Sequence, residues 1–159
     1  MRRTSAVVNY LTPELCAICG GKCCKYMPGI ASPGDFGGGL YAKLVHAFRS
    51  GNWAIDWWEG DATGENNGRD KTYFVRPATK GKEGLLFDPS WGGVCVFLTE
   101  KGCSLSPNRR PSTCRNLEPK ADGRCVGHEG KAEAAAAWIP FEDIILRASS
   151  NTNSTPGKE

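Results

Sequence analysis

The residues of this 159-residue chain best suited to chemistry are its eight cysteines, which fall into two groups of four. The first group lies within nine residues, and the second is spread over the later part of the chain. The eight are Cys16, Cys19, Cys23, Cys24, Cys95, Cys103, Cys114 and Cys125. A Cys-x2-Cys spacing lets one tight turn present two sulfurs to one ion, and four thiolates around one point suit Zn²⁺ or an iron–sulfur cluster. We therefore predict that these cysteines bind metal.

Disulfide formation is the competing use of so many cysteines, and the cellular compartment decides between the two. A secretory signal needs an apolar run after a basic start, but the run that follows Met1-Arg2-Arg3 is broken at Asn9 and Pro13. No stretch is long and apolar enough to span a membrane. We therefore expect a cytoplasmic protein with reduced thiols and no membrane partner.

Individual cysteines have alternative roles. Cys95 stands among valines and a phenylalanine, and a buried thiol there would act as a small hydrophobic residue. Cys16 and Cys19 have the spacing of a redox pair, although the strand–helix–strand pattern of such proteins is missing. Cys125 precedes His128 by three residues, so the histidine is either a further ligand or an ordinary surface residue.

The cysteine motifs resemble those of the YkgJ-type cysteine-cluster family, which is described as a zinc- or iron-chelating domain. The first motif is Cys16-Ala-Ile-Cys19-Gly-Gly-Lys-Cys23-Cys24, in which three residues precede the vicinal pair where the family has two. The stretch from Cys95 to Cys103 and the motif Arg110-Pro-Ser-Thr-Cys114-Arg115 are similar to later parts of the family pattern. The resemblance covers roughly residues 16–116.

This resemblance implies metal binding but says little about a reaction. One function hypothesis is a binding module with a structural metal, zinc being our first choice, that acts through an unidentified protein or small-molecule partner. The alternative is an iron–sulfur or zinc enzyme, such as a transferase similar to the flagellin lysine N-methylase relatives of the family. No glycine-rich nucleotide loop follows a clear strand, so the sequence leaves the question of enzymatic activity open.

Charge is distributed unevenly although the net charge is only +3. Between Lys101 and Cys125 there are six basic and two acidic residues. Basic side chains near a four-thiolate site would offset its charge and keep the thiols deprotonated, and a solvated basic face is an equal alternative. Nucleic acid is an alternative partner for a basic stretch, but no known reading motif accompanies this one.

We expect a small, loop-rich α+β fold in which a metal-nucleated cysteine core is joined by a short hairpin and two or three helices. With 20 glycines and 10 prolines the chain should be rich in loops, and small domains of that kind tend to need covalent or metal staples to supplement the core. Alternating hydrophobic residues predict a hairpin of 53–58 with 72–76, and helical spacing predicts helices at 40–50 and 132–139, with a short one after Pro140. Residues 1–148 would form one domain and 149–159 a disordered tail.

Two local features position chemistry-bearing residues. Pro111 favours a short helix that would place Cys114 near a helix start, where amide groups stabilise a thiolate. The segment from Trp53 to Asp61 alternates tryptophans with carboxylates, which suits either an acid–base or oxygen-ligand site, or an aromatic strand that packs on the core. We favour the second interpretation, with the acids at the exposed end of the strand.

Overall fold

An antiparallel hairpin forms the centre of the fold and confirms the predicted pairing. Strand β1 (Trp53–Glu59) pairs with β2 (Lys71–Pro77) in a register that places Trp53 opposite Pro77 and Glu59 opposite Lys71.

The structure is a computed structural model that describes residues 28–65, 68–90, 92–100, 102–105, 109–115, 117–118, 126–127 and 130–153.

Both edges of the hairpin are covered by extended segments. Along β1, the Ile55 amide donates to the Leu86 carbonyl at 2.7 Å, and the Asp88 amide donates to the Ile55 carbonyl at 2.9 Å. Along β2, the Ala31 amide donates to the Val75 carbonyl at 3.0 Å. The segment that follows the first cysteine group is therefore tied to the central hairpin.

The described helices begin close to where the periodicity of the sequence predicts, but the helix that begins at Lys131 ends at Ala136 rather than at Ile139, and the one after Pro140 is 12 residues long rather than short. They are α1 (Leu40–Ser50), α2 (Ser112–Arg115), α3 (Lys131–Ala136) and α4 (Glu142–Asn153), with 3-10 helices at Pro33–Phe36 and Ile139–Phe141. Helix α1 buries Leu44, Ala47 and Phe48 on one face and ends at Gly51, whose φ of 81° few other residues adopt. Pro111 immediately precedes α2, as the sequence predicts.

Two short strand pairs lie in the part of the sequence that carries the second cysteine group. Strand β3 (Leu98–Thr99) pairs with β4 (Gly102–Cys103), and β5 (Leu117–Glu118) pairs with β6 (Val126–Gly127). Each pair is a separate two-stranded sheet, and β4 contains Cys103.

The core lies between the hairpin and the helices. Helices α1 and α4 pack on each other, and α3 and α4 also contact β2. Trp138 is fully buried, and its indole nitrogen donates to the Ala31 carbonyl at 2.7 Å. The α+β class is thus confirmed, and no helix in the described part of the chain is long and apolar enough to cross a membrane.

The prediction of a disordered tail from residue 149 is wrong for residues 149–153, because α4 continues through Asn153. Ser149 is buried, and its hydroxyl donates to the Leu146 carbonyl at 2.7 Å. Arg49 of α1 donates to the Asn151 side chain at 2.9 Å. The polar end of the helix is held by tertiary partners that its composition does not reveal, and residues 154–159 lie outside the described residues.

A buried ionic triad crosses the hairpin and corrects the prediction that the acids of β1 lie at its exposed end. Asp56 is fully buried, and its carboxylate accepts from Arg76 Nε at 2.9 Å. Arg76 Nη2 also donates to the Asp88 carbonyl at 2.7 Å and lies 3.3 Å from Asp88 Oδ2. Arg76 is itself fully buried, so the triad joins β1, β2 and the segment beside β1. Only Glu59 of the strand's acids is exposed.

The Asp88 carboxyl should contribute to acid sensitivity. Burial alone would raise its pKa, but hydrogen bonds from the Ser90 hydroxyl and amide, together with the Arg76 charge, lower the pKa below its ordinary value. A depressed folded-state pKa gives stability that is present above about pH 4, the unfolded value, and is lost as pH falls through the folded value.

We therefore expect the free energy of unfolding of the wild type to fall more steeply below about pH 4 than that of Asp88→Asn, which cannot titrate there. Urea unfolding at a series of pH values measures this difference. Identical slopes for the two proteins would contradict the assignment.

Candidate metal centre

The structure describes three of the eight predicted ligands. Cys95 is buried, Cys103 and Cys114 are half-buried, and all three are thiols. Among the described residues, no group of three or more histidines, cysteines and carboxylates has a metal-holding arrangement. The other five predicted ligands lie outside the described residues: Cys16, Cys19, Cys23, Cys24 and Cys125.

Cys114 lies directly against the backbone of Gly29. A Cβ atom built on Gly29 would stand 2.2 Å from Cys114 Sγ and 2.8 Å from Thr113 Oγ1. Both distances are far below ordinary van der Waals contact, so any side chain at this position would displace α2 or the thiol. The absence of a side chain at Gly29 is what allows the cysteine to approach the chain here.

Hydrogen bonds hold this approach in place. The Ile30 amide donates to Thr113 Oγ1 at 2.7 Å, and the Thr113 amide donates back to the Ile30 carbonyl at 3.3 Å. We call these two segments, 28–31 and 112–114, the clasp. Because the Ala31 amide of the same segment bonds to β2, the clasp connects the Cys114 helix to the central hairpin.

Asp35 closes the clasp from a second side. Its Oδ2 accepts from the Ser32 amide at 2.8 Å and from the Ser112 amide at 2.9 Å. The first bond caps the 3-10 helix that contains Asp35, and the second satisfies the amide of the first residue of α2. One carboxylate therefore orients two segments that are far apart in sequence.

The clasp also limits the distance between the two cysteine groups. Cys24 precedes Gly29 by five residues, and an extended chain advances at most about 3.6 Å per residue. Cys24 therefore lies within about 18 Å of the Gly29 backbone, against which the Cys114 thiol packs.

Cys103 is connected to the same region through Arg110. The residue lies in β4 opposite Leu98, and Leu105 follows two residues later. Arg110 is buried, and its Nε donates to the Leu105 carbonyl at 2.9 Å. This bond joins Leu105, two residues after Cys103, to Arg110, four residues before Cys114.

Cys95 has the surroundings of a core residue. It is 5% exposed and forms an antiparallel bridge with Thr79. The neighbouring amide of Val96 donates to the Ala78 carbonyl at 2.9 Å. These contacts fit the alternative in which Cys95 packs as a small hydrophobic residue.

The donor set suits a soft, thiolate-binding metal. The described and undescribed cysteines together offer eight sulfurs, enough for two four-thiolate zinc sites or for iron–sulfur clusters. The sequence predictions do not include Gly29, Thr113 or the bond from the Ser112 amide to Asp35, because each depends on a contact between distant segments.

Compared with known proteins, the chain matches no family model, no curated protein and no solved structure.

Proposed function

We propose that this protein binds metal through its cysteine cluster, with zinc as the first choice and an iron–sulfur cluster as the alternative. The observation that carries the proposal is the clasp, in which Cys114 of the second group packs on Gly29, five residues after the end of the first group. The resemblance of the motifs to the YkgJ-type cysteine-cluster family supports the same reading.

The metal is structural in this proposal. Ligands from both groups would close a chain segment of roughly ninety residues around one site, and metal binding then becomes part of the folding free energy. The hydrogen bonds of Ile30 and Asp35 to α2 are the contacts that such a closure would stabilise. Four protein thiolates leave no open position on zinc, which favours a binding module over a catalytic centre.

The proposed function also includes a cellular location and a type of partner. Reduced cysteines are maintained in the cytoplasm, so we place the protein there. An unidentified protein or small molecule would be the partner through which the module acts.

Loss of single cysteines tests the proposal. We expect Cys19→Ala and Cys114→Ala each to lose about half or more of the metal bound per chain, because each removes a ligand from a closed site. Elemental analysis of protein purified without oxygen measures the metal. Ser104→Ala, an exposed neighbour of Cys103, is the matched control and should retain wild-type metal.

Cys95→Ala separates the two roles of that residue. Retained metal with lower stability would assign Cys95 to the core, whereas lost metal would make it a ligand. Full metal content in both Cys19→Ala and Cys114→Ala would contradict the proposal that the two groups hold the metal.

A further inference from the structure

A pocket of about 360 Å³ lies between α1 and the segments on either side of the β3–β4 pair. Phe97 precedes β3, Leu105 follows β4, and Pro111 precedes α2, and all three contribute to its lining. The volume falls within the range of pockets that bind small molecules. The pocket borders the segments that carry Cys103 and Cys114 but contains neither cysteine.

Aromatic side chains form one side of this pocket. The Trp53 ring lies 5.4 Å from the Phe36 ring and 5.6 Å from the Phe97 ring, measured between centroids. All three residues are half-buried and line the pocket. The interplanar angles are 67° and 54°, so the three rings pack edge-on and tilted and form an apolar wall against which a planar aromatic group can pack.

Basic side chains form the rim. Lys43 and His46 stand three residues apart on α1 and so share one of its faces, while Arg109 approaches from the opposite wall. All three side chains are exposed. Asp35 is the single acid among the described lining residues, and its Oδ2 accepts the Ser32 and Ser112 amides.

The rim therefore has an excess of positive charge over an aromatic surface. A concave site with an excess of one sign of charge, here Lys43 and Arg109 against Asp35, concentrates ligands of the opposite sign. An uncharged aromatic molecule would use only the rings, and a small inorganic anion would use only the rim.

We propose that this pocket binds a small anionic molecule with a planar aromatic body, whose ring packs against the aromatic side while its anionic group faces Lys43 and Arg109. This site goes beyond metal binding, because it is built from described residues that include no cysteine. It assigns the protein a small-molecule ligand of defined chemistry.

Calorimetric titration with naphthalene-2-sulfonate, compared with the uncharged naphthalene-2-sulfonamide, tests the proposal on the wild-type chain. We expect saturable binding of one sulfonate per chain, at least about tenfold tighter than the sulfonamide, because only the sulfonate engages the basic rim. Absence of saturable sulfonate binding, or equal affinities for the two probes, would overturn the proposal.

Charge reversal locates the site. The double variant Lys43→Glu/Arg109→Glu should weaken sulfonate binding by about tenfold or more. Lys82→Glu is the matched control, since Lys82 is also exposed but lies outside the pocket, where its Nζ donates to Ser90 Oγ at 2.7 Å. Equal weakening by both variants would show general charge attraction and overturn the assignment.

Two further measurements keep these results interpretable. Circular dichroism confirms that each variant is folded, and the comparison of the two probes on the wild type needs no variant. Metal content is measured on the same samples. Sulfonate binding that fails while metal is retained overturns the pocket alone, whereas loss of metal with intact binding bears only on the proposed metal function.

Discussion

Gly29→Ala should lower the free energy of unfolding by about 1–3 kcal/mol and reduce the metal bound per chain by about half or more. The added Cβ would lie 2.2 Å from Cys114 Sγ and 2.8 Å from Thr113 Oγ1. The overlap is relieved only if the thiol rotates away or the clasp separates, and either change moves a proposed ligand. Urea unfolding and elemental analysis of the same samples measure both effects.

Gly38→Ala is the matched control for this change. Gly38 lies nine residues further along the same region, and a Cβ added there would meet nothing within 4 Å. We therefore expect Gly38→Ala to retain wild-type stability and metal. If Gly29→Ala behaved like Gly38→Ala, the close packing of Cys114 on Gly29 would be wrong.

A double-mutant cycle isolates the contact itself. In a Cys114→Ala background the Sγ atom is gone, so Gly29→Ala should cost less than in the wild type, with the remaining penalty due to Thr113 Oγ1. Equal costs in the two backgrounds would mean that the penalty of Gly29→Ala arises elsewhere.

Arg76→Met should lower the free energy of unfolding by about 3–5 kcal/mol, the largest loss we expect from a single substitution. The arginine is fully buried and donates to Asp56 and to the Asp88 carbonyl. Its removal leaves two carboxylates, which are 0% and 2% exposed, without a compensating charge. Urea unfolding at neutral pH measures the loss.

Arg147→Met is the control for this substitution. Arg147 pairs with Asp143 four residues away on α4, but the two side chains are 64% and 83% exposed, so the loss should be below about 1 kcal/mol. Replacing the whole triad, as Asp56→Asn/Arg76→Met/Asp88→Asn, should restore part of the stability, since no buried charge is then left unpaired. Equal effects of Arg76→Met and Arg147→Met would contradict the structural importance of the triad.

The hairpin and α1 are predictable from sequence because their signals are local. Alternation from Trp53 to Trp57 identifies a strand, and helical spacing from Leu40 to Phe48 identifies the buried face of α1. The alternation does not identify a single core-facing side of β1, because Ala54, Ile55 and Asp56 are all buried. The burial of Asp56 has no such signal. A carboxylate in a strand is normally exposed. Burial of Asp56 is balanced by the charge of Arg76, twenty residues away, and by the Trp57 amide, which donates to Asp56 Oδ1 at 2.6 Å.

The end of α4 escapes prediction for a similar reason. Its small polar residues are typical of a disordered segment, but Arg49 and Tyr41 of α1 hydrogen-bond to Asn151. Packing of α4 on α1 stabilises those last residues, so their own composition does not predict the helix.

One part of the candidate metal centre is predictable from local sequence, and another part depends on contacts between distant segments. The spacing of the cysteines predicts thiolate ligands, since Cys-x2-Cys lets one tight turn present two sulfurs to one ion. The contact of Gly29 with Cys114 and the bond from Ser112 to Asp35 join residues that are 85 and 77 positions apart. A glycine after a proline reads locally as a turn, so its role in admitting a thiol emerges only from the fold.

The most direct test of metal binding through the cysteines is to purify the full chain without oxygen and to record bound metal, acid-labile sulfide and the visible spectrum on one sample. We predict a colourless protein with up to about two zinc ions per chain, as eight thiolates allow. A brown sample that contains iron and sulfide would replace zinc by the iron–sulfur alternative and retain the cysteine site. A stably folded protein that holds no metal would contradict the proposal that the cysteine cluster binds metal.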